Sequence, residues 1–391
     1  MTERRGFDAI FVGGGAIGLS CAWRTAQRGA SVAVLDRAAP PAGATRVAAG
    51  MLAPVGELAF GEPRLLEMTL AAAALYPRFV AELEAASGEE TGYSCQGALH
   101  VALDGDEAAA LRRVHDLQRS LGLEAEWLSP RRCRELEPGL TPSFHGGVHA
   151  PGEAAVDPHA LTRALLAALS AAGAELRMES EVVDGLFEGG RLVGVRTAGG
   201  EELRAARVVL ATGARSGQTG WLPEQARPPV RPVKGQVLEL RGRGGAPPCG
   251  RIVASERVYL VPRPDGRLIV GATSEEQGFD TTVTAGGVHE LLREAYRLLP
   301  DVAEMELLAA SAGLRPCTPD NLPLVGPGAI EGLVLATGHY RNGILLAPLA
   351  ADAIAGLVSG SSTDRAAELA RRGAALAEAA EAAERAAEVP R

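Results

Sequence analysis

Of the 391 residues only 4% are aromatic, and Lys234 is the one lysine among 39 basic side chains. No basic stripe or arginine cluster offsets a net charge of -9, which argues against a nucleic-acid binder and points to a small ligand. The five cysteines, Cys21, Cys95, Cys133, Cys249 and Cys317, are odd in number, scattered and without CxxC spacing. Neither a disulfide framework nor a zinc site is implied, and a reducing cytoplasm fits best. Long apolar runs are missing too. The most apolar late stretch, Gly343 to Val358, is too short to cross a bilayer and carries Asp352, so it reads as a buried helix. Arg4 and Arg5 precede an apolar run that breaks at once into glycines without a cleavage site, which reads as a strand and not a signal peptide.

Glycine is what the chain has in quantity, and its placement near the N-terminus carries the main signal. Residues 7–12, Phe-Asp-Ala-Ile-Phe-Val, read as a buried strand that runs into Gly-Gly-Gly-Ala-Ile-Gly and then a helix. Gly13 permits a tight turn, Gly15 lets backbone approach a pyrophosphate and Gly18 lets helix and strand pack closely. A diphosphate can then sit on N–H groups at a helix start. Eighteen residues after Gly18, Asp36 ends the next apolar run, where an acid can accept the hydroxyls of an adenosine ribose. Strand, turn, helix, second strand and terminal acid in that order mark a dinucleotide site far better than a lone GxGxxG.

A chain of this length exceeds what one core supports, so two domains are expected. Residues 43–54 are rich in small residues and poorly periodic, as suits an active-site loop. Residues 63–86 have helical spacing, with Pro77 expected to start, kink or divide the helix. Strands are expected over 96–103 and near Trp127, a helix over about 105–121, and a helical turn from Ser129-Pro130. Asp157 is a candidate N-cap for a helix ending near Ala172-Gly173. Strand-like runs follow at 174–178, 182–187 and 191–197, then Arg207 to Gly213 as a buried strand ending in a turn. Residues 230–271 alternate like antiparallel strands. Residues 364–391 are almost wholly Ala, Glu and Arg, which reads as a solvated helical or disordered tail.

Together these pieces resemble the FAD-dependent D-amino-acid oxidase superfamily and, within it, the glycine oxidases of thiamine biosynthesis. The likeness runs from Phe7 to about Val358. It is carried by GGGAIG at 13–18, ATRVAAGMLAP at 44–54, VDPHAL at 156–161, VVLATG at 208–213, PVKGQ at 232–236, VYLVPR at 258–263, GLRPCTPD at 313–320 and GHYRNGILLAP at 338–348. The resemblance implies an α/β fold, a Rossmann-like FAD-binding domain with a second substrate domain built on an antiparallel sheet. The expected divisions are 1–85 with 145–225 and 312–362 for FAD, 86–144 with 226–311 for substrate, and 363–391 as the tail.

By the same resemblance FAD is held non-covalently, and Cys317 is a small buried residue and not a tether. The diphosphate lies on Gly13, Gly15, Ala16, Ile17 and Gly18, the ribose on Asp36 and Arg37, and the adenine edge at Val182. Ala44, Thr45, Ala49, Gly50, Met51 and Gly213 flank the cofactor. The turn His339, Tyr340, Arg341, Asn342, Gly343, Ile344 and Leu345 brings backbone N–H groups to the pyrimidine end of the flavin. Arg315 grips the substrate carboxylate in a two-pronged bond, Tyr259 adds a contact, and Arg341, Gly50 and Met51 border the reacting carbon. The implied reaction is hydride transfer from glycine, or alternatively sarcosine or a small D-amino acid, to flavin N5 once the amine is neutral, without a dedicated base, and return of the electrons to oxygen as hydrogen peroxide, with the imine feeding thiazole synthesis for thiamine. Relatives, which are often tetrameric, imply a homo-oligomer.

Each of these residues also has a plainer structural reading. Tyr259 can be strand core, His339 can shape its turn, and Met51 can fill a gap. Arg257 and Ser274 depart from the family pattern beside the pocket, and scarce aromatics imply a roomier one. The choice among glycine, sarcosine and small D-amino acids therefore stays open. So do a flavin dehydrogenase that avoids oxygen and a non-catalytic flavin module.

Overall fold

The computed structural model describes residues 6–360. The expected tail at 363–391 and the reading of Arg4 and Arg5 lie outside the described residues. An eight-stranded sheet forms one half of the molecule. Its main path runs Leu324–Pro327, Leu333–Thr337, Glu202–Leu210, Phe7–Val12, Val32–Leu35, Glu175–Arg177. Phe7–Val12 pairs in parallel with Val32–Leu35 on one side and Glu202–Leu210 on the other, and Ala9 to Phe11 are wholly buried. That two-sided cover explains the unbroken apolar run in sequence. Helices Ala16–Gln27, Pro63–Ser87, Pro158–Ala171 and Gly343–Ser359 pack in one core, where Trp23, Phe79 and Tyr76 meet edge to face. The hairpin Val182–Glu188 and Arg191–Thr197 joins Glu202–Leu210 in antiparallel fashion.

The second sheet also has eight strands, ordered Glu306–Cys317, Arg231–Arg241, Arg267–Gly271, Tyr259–Pro262, Ile252–Ala254, Ala98–Val101, Gly147–Ala150, Glu126–Leu128. It is antiparallel except where Ile252–Ala254 meets Ala98–Val101 in parallel. Its strands cross the expected divisions. Gly147–Ala150 belongs here and not with 145–225, because it bonds to Ala98–Val101 and Glu126–Leu128. Glu306–Cys317 passes straight through 311/312, since its ladder with Arg231–Arg241 continues as far as Cys317 opposite Arg231.

Local signals hold at the helix starts. Asp157 accepts from the N–H groups of His159 and Ala160, and Ser129 from that of Arg132. Asp157 also pairs with Arg267 at 2.6 Å, which ties the second sheet to the helix that packs on the first. Pro77, however, neither starts nor divides a helix, because Pro63–Ser87 runs through it. Tyr76, Phe79, Val80 and Leu83 are buried around it, and that packing outweighs the missing N–H. Part of the small-residue segment is also ordered, as the short helix Gly43–Val47 and the strand Met51–Leu52. None of the described helices is long and apolar enough to cross a membrane.

Candidate active site

A cavity of about 1730 Å³ reaches from the glycine turn after Phe7–Val12 to the strands Arg231–Arg241 and Glu306–Cys317. Such a volume exceeds the usual range for a single small ligand and suits a dinucleotide with a substrate beside it. At the turn, Gly13 has φ of 117°, and a side chain there would run into the backbone of Ala211. Gly13, Gly15, Ala16 and Ile17 line the cavity. The N–H of Ala16 donates to Thr45 Oγ1 at 3.0 Å, so the loop that carries Ala44 and Thr45 is fastened to the helix start. Asp36 accepts from the N–H groups of Gly14 at 2.6 Å and Ala38 at 2.8 Å and faces the cavity beside Arg37. Val182 and Gly213 complete this end.

Gly18 and Leu345 are not part of the lining. A side chain on Gly18 would collide with the carbonyl of Gly13, so this glycine serves helix-on-strand packing, and Leu345 is buried in the helical core.

Midway, Ala49, Gly50 and Met51 form one wall. Gly50 has φ of 70° and its carbonyl accepts from Val156 N–H at 2.9 Å. Arg263, 3% exposed, donates to the Ala49 carbonyl. Met51 packs with Tyr259 and Ile269 on the small cluster of Ala49, Ala155, Ile252 and Val261. His339, Tyr340, Arg341, Asn342, Gly343 and Ile344 also line the cavity, where the 17-residue helix Gly343–Ser359 begins. Tyr340 takes a positive φ of 46° and donates its N–H to the Pro316 carbonyl at 2.9 Å. Burial lowers His339 to about 3, so its ring is neutral, and its Nε2 has no protein partner among the described residues.

Arg315 sits on Glu306–Cys317, its Nη1 fixed by the carbonyls of Thr273 at 3.1 Å and Lys234 at 3.3 Å. Its guanidinium lies over Gly235, where an added Cβ would come within 2.6 Å of Cζ. Tyr259 likewise lies over Gly271, its register partner, with an added Cβ 2.5 Å from the ring. Two bare backbone positions therefore let a guanidinium and a phenol lie along the sheet into the cavity. Burial raises the Tyr259 phenol above its ordinary range, so it stays a donor, with Arg315 beside it pulling the other way. Cys317 is buried, its thiol on the Thr318 carbonyl and Asn321 Oδ1.

A model of the DAO family, described as FAD dependent oxidoreductase, matches residues 8–357. The chain belongs to this family of FAD-dependent oxidoreductases. It is 39% identical over 361 residues to the bifunctional protein ThiO/ThiG of Trichormus variabilis, covering 91% of this chain and 53% of that one. The chain thus spans about half the length of the bifunctional relatives it matches. It is 36% identical to the glycine oxidase of Geobacillus kaustophilus over 93% of this chain and 95% of that one. The crystal structure of that glycine oxidase superposes with a TM-score of 0.85 at 35% identity, over 92% and 96% of the two chains.

The residues present fit the family's cofactor. The turn is bare where a pyrophosphate would lie, the acid Asp36 lines the cavity where it could bond a ribose, and the buried His339, its Nε2 without a partner among the described residues, lines the same cavity. What the sequence did not disclose is an acidic wall of the same cavity. Glu57 and His100 line it, and Glu153 stands behind them, its carboxylate 3.7 Å from His100 Nε2 and accepting from the N–H of Gly56. These residues belong to three separate segments with no shared spacing, and no local pattern singles them out.

Proposed function

We propose that this chain oxidises glycine, with sarcosine and small D-amino acids as lesser substrates, to the imino acid, and that the imine serves thiazole synthesis for thiamine. The observation that carries the reading is the pair Arg315 and Tyr259, laid over Gly235 and Gly271 in the cavity that also holds the dinucleotide turn. A planar guanidinium with Nη1 already tied to the frame presents its remaining N–H groups to a carboxylate in one orientation. Tyr259 donates alongside it. Arg341 adds positive charge and holds its guanidinium 5.1 Å from the Tyr340 ring. Gly50 and Met51 leave the α-carbon room against the opposite wall. When bound at the glycine turn and Asp36, FAD would supply the two-electron acceptor for the α C–H bond and a route for those electrons to oxygen, with hydrogen peroxide as product. The names and coverage of the glycine oxidase relatives support this choice of substrate.

Arg257 and Ser274 at the cavity edge favour one second reading, a broader amino-acid or sarcosine oxidase. We further infer a reducing cytoplasm for the enzyme and, by resemblance to relatives that are often tetrameric, a homo-oligomer. Its five cysteines are free. The decisive test is anaerobic titration of the yellow holoenzyme with glycine, sarcosine and D-alanine. Glycine is expected to bleach the flavin fastest, and a holoenzyme left yellow by all three overturns the reading.

A further inference from the structure

The cavity holds an acid that the carboxylate-gripping machinery does not use. Glu57 lines it with Arg315, Arg341 and Tyr259, and its charge is felt by Tyr259 together with theirs. The segment that carries it is pinned at several points. Glu57 N–H donates to the Ala53 carbonyl at 3.1 Å, Gln118 Nε2 to the Val55 carbonyl at 2.9 Å, and Gly56 N–H to Glu153. A side chain on Gly56 would run into the His100 ring, so position 56 must be bare for this arrangement. A carboxylate carried on a pinned backbone, lining the same cavity as two guanidinium groups, describes a receptor for a ligand with both signs of charge.

We propose that Glu57 reads the amino end of the substrate, pairing with the ammonium while Arg315 holds the carboxylate, and takes the ammonium proton before the C–H bond opens. In that step an N–H bond breaks, an O–H bond forms on Glu57 and the electron pair stays on nitrogen as the lone pair that oxidation requires. The proton passes to water when the site empties. The substrate class is thereby α-amino acids over 2-hydroxy acids, which bring no charge to offset the carboxylate. Enclosure by the surrounding cavity walls, reinforced by Glu153, pushes Glu57 up to about 7 although the side chain itself is solvent-accessible, against the opposite pull of Arg341, His100 and Arg315. A base of that strength is half-ionised near neutrality, which suits proton transfer in either direction.

This inference rests on the amino-acid reading, and its test includes an arm without turnover. Acetate, a carboxylate with no ammonium, is titrated into the holoenzyme from about pH 6 to about pH 9 and followed by the flavin spectrum. As Glu57 ionises in the cavity it shares with Arg315, acetate is expected to weaken at least fivefold as pH rises through about 7, whereas Glu57→Gln gives a flat profile. Single-turnover bleaching by glycine at neutral pH is expected to slow about 100-fold in Glu57→Gln and to recover as rising pH frees the amine in solution, with Glu57→Asp between. A flat acetate profile in the wild type overturns the proposal without any variant. So does a flavin-loaded Glu57→Gln with wild-type bleaching and acetate profiles. A wild type that binds acetate with the expected profile but stays yellow with every amino acid instead overturns the functional reading.

Discussion

The two ends of the cavity are built in different ways. The dinucleotide end is largely local, since Gly13 to Ile17 form one turn and Asp36 closes the next strand, which pairs directly with the first. At the proposed substrate end Glu57, His100, Tyr259, Arg315 and Arg341 come from five separate segments, brought together by both sheets and the start of Gly343–Ser359. A phosphate needs N–H groups in a fixed local order, which one glycine turn provides. The proposed zwitterion needs opposite charges within one pocket, and only long-range folding supplies those. One end therefore fixes the class of cofactor, and the other decides which molecule reacts.

This contrast can be broken from either side. Arg315→Ala is expected to have the larger effect, weakening substrate capture by about 2–5 kcal/mol while leaving the flavin bound, because it leaves a carboxylate unpaired in a buried site. The check is the substrate concentration dependence of bleaching, with visible absorbance for flavin content. Loss of flavin in this variant would merge the two ends. Asp36→Ala is expected to do the reverse, weakening FAD retention by about 1–3 kcal/mol through lost bonds to the ribose and to Gly14 N–H, while the loaded fraction turns over normally. Equilibrium dialysis of FAD and activity per bound flavin separate the two quantities.

The smallest effect is expected at the tie between the halves. Asp157→Asn removes the ion pair with Arg267 but keeps a side-chain oxygen for the helix cap, costing about 1–2 kcal/mol of stability at neutral pH. Arg263 and Arg267, with the hydrogen bond from Arg267, hold the Asp157 carboxyl below its ordinary range despite burial. A lowered folded-state value means that its contribution is complete above the unfolded-state range near 4 and disappears as pH falls through the folded-state value. The difference in thermal midpoint between wild type and variant should therefore persist to mildly acid pH and close only in strong acid.

Legibility in the sequence follows the same division. Gly13, Asp36 and the caps Asp157 and Ser129 are readable because their work is done within a few residues or at a motif's fixed distance. Arg315 and Tyr259 gain meaning only through the family resemblance, and the structure adds why Gly235 and Gly271 accompany them. Pro77 misleads because tertiary packing of Tyr76 and Phe79 overrides a local breaker. The cut at 311/312 misleads because a long ladder, invisible to composition, carries its strand across. Glu57, His100 and Glu153 leave no signal, since nothing in VGELAF or PGEAAV distinguishes a cavity carboxylate from a solvated one.

The central claim, that Arg315 and Tyr259 hold a carboxylate with its α-carbon toward the Gly50–Met51 wall, is tested most directly by a crystal structure of the FAD-loaded protein with acetate. The account predicts both acetate oxygens on the Arg315 guanidinium, one also within hydrogen-bond distance of the Tyr259 hydroxyl, and the methyl group against the flavin. Acetate bound elsewhere in the cavity, with the Arg315 guanidinium turned away from the flavin, would contradict it.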